Sequence, residues 1–188
     1  MGAFSHILTF MAFVFGFSVG QLLLRLGALV AQREQVRFSG LGALAVMSAL
    51  LLVLTDWLSL YDFHDVARWT LPTILPVFLL SLSVCFICMI SAPLPQFGAA
   101  IDLEAFYWHQ RKAFFWTWAA CEALAILCNA LFAAGHEKLL EENAANIAAL
   151  AATMLPLAVP KRWAQWTGLW LLTALTLYAL VAFEGDLG

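Results

Sequence analysis

Asp102-Leu103-Glu104-Ala105-Phe106-Tyr107-Trp108-His109-Gln110-Arg111-Lys112 runs straight into an apolar segment, Ala113–Ala134, whose middle holds a lone carboxylate, Glu122. Ile101, Ala105 and Trp108 recur at helical spacing on one side, while Asp102, His109 and Gln110 fall largely on another. Residues 99–112 therefore read as an amphipathic helix lying at a membrane surface, with Arg111 and Lys112 reaching for anionic headgroups. The apolar half reads as a helix crossing the membrane. This pairing of interfacial and crossing segments sets the class of the whole chain.

The rest of the sequence agrees. Of 188 residues, 64% are hydrophobic and 11% charged, where a soluble domain carries about 25% charged residues. A soluble chain of this size cannot hide so much apolar surface. Six apolar runs occur, Phe4–Ala31, Phe38–Leu54, Leu71–Ala92, Ala113–Ala134, Asn143–Val159 and Trp163–Phe183. Each approaches the ~20 residues that cover ~30 Å of hydrocarbon. The second and fifth are short. Trp57 and Leu58 extend the second, and the Ala-rich fifth suits the bundle interior. Residues Met1–Thr9 lack a basic region, so the first run reads as an uncleaved span. The expected fold is all-α, one transmembrane domain of six spans over residues 1–188.

Lys and Arg placement sets the orientation. The first, third and fifth connections hold Arg33, Arg37, Arg111, Lys112, Lys161 and Arg162, and the opposite side holds only Arg68 and Lys138. The odd loops are then cytoplasmic and both termini lie on the outer side. Trp57, Tyr61, Trp69 and Tyr178 mark the outer interface, and Tyr107, Trp108, Trp116, Trp163 and Trp166 the inner one. Asp56 is counted with the outward-facing acids. A net charge of −3 without clustered basic residues argues against nucleic acid as a partner. Membrane lipids are the expected neighbours, with lipid the expected bound molecule and no cofactor indicated.

Four groups of residues could carry function. The first is an intramembrane polar cluster. An ionisable group near mid-bilayer costs roughly 2.5–3.5 kcal/mol on insertion scales, so it faces protein or water. Glu122 shares a helix face with Trp118 and Asn129, and Arg25 shares one with Gln21. Arg25 lies about 9 Å from its cytoplasmic end and Glu122 about 15 Å from its own. These depths predict contact between spans one and four through Arg25 or Gln21 and Glu122. The cluster is a structural ion pair, a protonated and hydrogen-bonded Glu122, or a relay for protons or ions.

The second is a packing seam, Ala12, Gly16, Gly20 and Gly27, on one face of span one. It serves a neighbouring span or a second copy of the chain. The third gathers His6, His64, Asp65, His136 and Glu137 on the outer side, donors of the kind that hold zinc, though no HExxH pair is present. The fourth is the interfacial helix itself, Asp102, Trp108, Arg111 and Lys112, as an anchor or docking surface. Cys85 and Cys88 form a CxxC inside span three, where cysteine packs as a small hydrophobe. Nothing matches a nucleophile elbow, a P-loop, a Rossmann fingerprint or a catalytic triad.

Arg33 and Arg37 in the first loop, the aromatic stretch near Trp57, and the pattern Asp102-Leu103…Phe106-Tyr107…Arg111-Lys112…Phe114-Phe115 give the region 20–116 a resemblance. It resembles a group of bacterial polytopic integral membrane proteins with no established activity. The resemblance implies a location in the inner membrane and transfers no site. The leading expectation is a non-enzymatic membrane protein acting in assembly, with itself or with another membrane protein. The alternative is a small transporter or channel using Glu122, Arg25, Gln21 and Asn129. An outer-face metal-dependent enzyme is a distant third.

Overall fold

The computed structural model describes residues 3–66, 69–94, 100–132, 140 and 143–186. Among these residues six helices form the bundle: α1 Ala3–Ala31, α2 Gly40–Ser59, α3 Leu71–Ser91, α4 Leu103–Phe132, α5 Ala144–Ala158 and α6 Arg162–Asp186. All but α5 are long and apolar enough to cross a membrane. At 15 residues, α5 covers only about 22 Å. It runs back along α4 all the same, from Asn143 beside Asn129 to Pro156 beside Arg111.

Neighbour relations close a ring. α2 packs on α3, α3 on α4, α4 on α5, α5 on α6, and α6 on α2. α1 stands outside it, against α3 and α2. Trp118, Phe115, Leu41, Ile87, Leu169 and Leu172 fill the middle with almost no exposure. Two side-chain bonds stitch the layers. Ser48 and Thr173 hydroxyls meet at 2.7 Å between α2 and α6, and the Ser81 hydroxyl donates to Met11 Sδ between α3 and α1. The outside is apolar as well: Phe13 is 72% exposed, Leu24 69% and Val181 68%. Water would penalise that coat, and lipid would not.

Helix ends follow from local chemistry. Thr70 and Thr73 cap α3 reciprocally, with Pro72 in its first turn. Ser39 caps α2 by accepting from the Gly42 amide at 3.4 Å. Asp102 caps α4, its Oδ1 accepting from the Ala105 amide at 3.0 Å. Gly168 on α6 is required by close approach, since a Cβ there would lie 2.7 Å from the Pro156 ring of α5.

The expected surface helix over 99–112 is corrected. From Leu103 onward those residues belong to α4, one uninterrupted helix of 30 residues. Ile101–Asp102 form a two-residue parallel strand with Val36–Arg37. The side turned inward is that of Tyr107, Phe114, Phe115 and Trp118, and Ala105 is exposed. The reason is polar. Glu104 accepts from Ser39 at 2.7 Å and from Trp108 at 3.2 Å, and lies 3.8 Å from Arg162. Asp102 pairs with Arg37 at 3.0 Å. Tyr107 donates to Gln165, whose amide donates to the Pro156 and Val159 carbonyls. Arg111 also donates to the Pro156 carbonyl, so the last carbonyls of α5 are satisfied by side chains. These bonds clasp the first, third and fifth connections together at the basic end.

Candidate functional site

At the other end of the ring, small side chains leave a gap. Ala145 and Ala149 of α5 and Ala179 of α6 face Asp56 of α2 and Glu122 of α4 across a cavity of about 50 Å³. A water needs roughly 10–15 Å³ of such space, so the cavity has room for a few waters. Its walls are mixed: Thr55, Asn146 and Thr176 add polar groups, and Leu52 and Leu175 apolar ones.

Glu122 is only 7% exposed. One carboxylate oxygen accepts from the Trp118 indole N–H at 2.8 Å, one helical turn away. Trp118 is itself fully buried, so the indole fixes the carboxylate without opening it to bulk solvent. Asp56 has the Cys121 thiol 3.8 Å from its Oδ2, a weak donor. Among the described residues no Lys or Arg lines the cavity. Two acids facing one polar cavity without a cation leave places for positive charge, supplied by protons or by a small cation.

The expected contact between spans one and four is corrected. α1 lies against α3 and α2, outside the ring that contains Glu122. Arg25 instead turns to the end of α3, where its guanidinium donates to the Met89 and Ala92 carbonyls, the latter at 2.7 Å. A cation at a helix C-terminus satisfies orphan carbonyls and meets the negative end of the dipole. Gln21 sits half-buried on the same helix, away from the cavity. Asn129, two turns beyond Glu122, donates to the Asn143 side chain at 3.0 Å and ties α4 to the start of α5.

A packing seam within the chain is corrected too. Nothing lies within 4 Å of a Cβ built on Gly16, Gly20 or Gly27, and Ala12 is exposed. That face of α1 points away from the bundle. Of the outer-side metal candidates, His6 is exposed in the first turns of α1. His136 and Glu137 lie outside the described residues, as do the side chains of His64 and Asp65. Among the described residues no group of three or more His, Cys, Asp or Glu is placed to hold a metal. Cys85, Cys88, Cys121 and Cys128 are all buried and free. Trp108, Arg111 and Lys112 stand on α4, with Arg111 5.6 Å from the centre of the Trp108 ring and Lys112 exposed.

Asp56 is the residue that sequence reasoning missed. That reading counts it with the outward-facing acids, although Trp57 and Leu58 extend the second span past it, and α2 indeed continues to Ser59. A signal was available. Leu41, Leu44, Ala45, Ser48, Ala49, Leu52 and Val53 are the buried row of α2. One further turn along that row reaches Asp56. No family model, no curated protein and no solved structure matches this chain.

Proposed function

We propose that this chain is a six-span protein of the bacterial cytoplasmic membrane that takes protons or small cations into the Asp56–Glu122 cavity, as a small transporter. The observation that carries the reading is a pair of carboxylates on facing helices, lining a water-sized polar cavity with no lining Lys or Arg among the described residues. An acid held inside a membrane bundle without a cationic partner marks an ion or proton path. The orientation rests on six Lys and Arg in the odd connections and the first turns of α4, against two on the opposite side, which argues for a cytoplasmic clasped end and a cavity in the outer half. α5, too short to cross alone, completes six crossings inside the bundle, where the neighbouring helices reach past it.

The test is uptake into proteoliposomes loaded with a pH-sensitive dye, under an imposed ion gradient. Asp56→Asn and Glu122→Gln keep size and hydrogen-bonding capacity. Each is expected to lower the initial rate at least tenfold while elution volume and melting temperature stay as in the parent. A double variant that transports at the parental rate would falsify the proposal.

A second reading is favoured by one specific observation. The face of α1 carrying Ala12, Gly16, Gly20 and Gly27 meets nothing in the bundle, and small residues on an exposed face allow close helix contact in lipid. This supports assembly with a second copy or with another membrane protein, and it is compatible with transport.

A further inference from the structure

At the basic end the last turns of α1, the first turns of α2, the end of α3 and the start of α4 enclose a second cavity, of about 370 Å³. That lies within the range of about 300–1,000 Å³ typical of built ligand pockets. Its walls include Leu26, Leu29, Val46, Ala92 and Phe106, and Arg33 is the one charged side chain among its lining residues. Arg33 is exposed and, among the described residues, has no carboxylate partner. Three other arginines at this end are engaged: Arg37 with Asp102, Arg162 with Glu104, and Arg25 with the end of α3. Two further lining residues, Val30 and Phe38, are 66% and 74% exposed, so the mouth is apolar and open among the described residues.

From this arrangement we infer that the cleft is a binding site for an anionic phospholipid, with one acyl chain between the helix ends and the phosphate on Arg33. The chemistry selects that occupant. A polar metabolite would find almost no hydrogen-bonding groups on these walls to orient it. A neutral acyl chain would leave Arg33 without a counter-charge. An amphiphile with an apolar tail and a negative head meets both, at the level where basic side chains face headgroups. The inference rests on membrane residence and is independent of the Asp56–Glu122 cavity.

The experiment is native mass spectrometry of the delipidated full chain in detergent, titrated with dioleoylphosphatidylglycerol and, separately, dioleoylphosphatidylcholine. The first phosphatidylglycerol is expected to bind about fivefold tighter than phosphatidylcholine, the increment of one basic side chain. Arg33→Gln is expected to erase that preference. Ala43→Trp, which fills the cleft from an exposed wall position, is expected to weaken both lipids. Lys112→Gln removes an exposed charge that does not line the cleft, and is expected to leave the preference intact. An unchanged preference in Arg33→Gln would overturn the site. So would an equal loss in Lys112→Gln, unchanged binding in Ala43→Trp, or displacement of the lipid by inorganic phosphate. All three positions are exposed, and matching melting temperatures show that the variants remain folded.

Discussion

Two carboxylates on the same helix, eighteen residues apart, meet opposite surroundings. Glu104 at the clasped end has the Ser39 hydroxyl, the Trp108 indole and the Arg162 guanidinium around it. Glu122 at the far end has the Trp118 indole, a small cavity, and a second acid across it. The same chemical group is therefore architecture in one place and an acid without a cationic partner in the other. A bundle that had to bury an acid only for packing would give it a cation or replace it with an apolar residue of similar volume. The clasp does the former. The cavity does neither, and that difference makes it the candidate site.

The comparison is broken or sharpened most strongly by a buried basic residue that meets backbone carbonyls rather than a carboxylate. Arg25 satisfies two carbonyls at the end of α3 while 8% exposed. Arg25→Met keeps an apolar stem of similar length and strands both acceptors. It is expected to cost about 3 kcal/mol, the loss of charge-assisted bonds from buried groups, read by steric trapping in bicelles. If Arg25 instead served a conduction path, the variant would lose uptake at unchanged stability.

The two glutamates give the next contrast. Glu104→Gln removes the charge held by Arg162 while keeping an acceptor for Ser39. It is expected to destabilise by about 1 kcal/mol, a modest figure because the pair is partly exposed, and to leave uptake intact. Glu122→Gln is expected to leave stability unchanged, because the amide fills the same space and keeps an acceptor for the Trp118 indole, and to lose uptake. The crossed outcome, a destabilised Glu122→Gln alongside an inactive Glu104→Gln, would reverse the assignment of the two ends.

How much of this was legible in the sequence follows the same division. The apolar helices were readable because hydropathy is a local property of the chain. Glu122 stood out because a lone acid in an apolar run is itself a local anomaly. The pairing of Arg25 with Glu122 was not readable correctly. Depth along two helices says nothing about which helices touch, and α1 sits outside the ring. Helical polar partners such as the α3 carbonyls carry no sequence signal at all, since every residue has one. The surface helix failed for a related reason. Its amphipathic pattern is real, but Glu104, Tyr107 and Arg111 answer to Ser39, Gln165 and Pro156, partners far along the chain and invisible to periodicity. Asp56 was missed because an acid near the end of a span was grouped with the loop acids beyond it, not with the buried row of the helix it belongs to.

The smallest effect tests whether the clasp depends on charge or only on hydrogen bonding. Asp102 lies outside the apolar helices. The Ala105 amide, and after it the Arg37 charge, hold its carboxyl below the ordinary value of 3.8. A group whose folded-state value is depressed contributes stability above its unfolded value and loses it as pH falls through the folded one. Asp102→Asn keeps a good N-cap and removes only the charge. The parent is thus expected to melt slightly above the variant between pH 5 and 8, roughly the range in which a free aspartate is fully ionised. The gap should narrow as pH falls below that ordinary value and vanish once the parent's own carboxyl is protonated. Salt should narrow it as well at neutral pH, because the Arg37 partner is 79% exposed. A gap that persisted at low pH would mean that Asn fails as a cap there, and that the clasp is held by bond geometry rather than by charge.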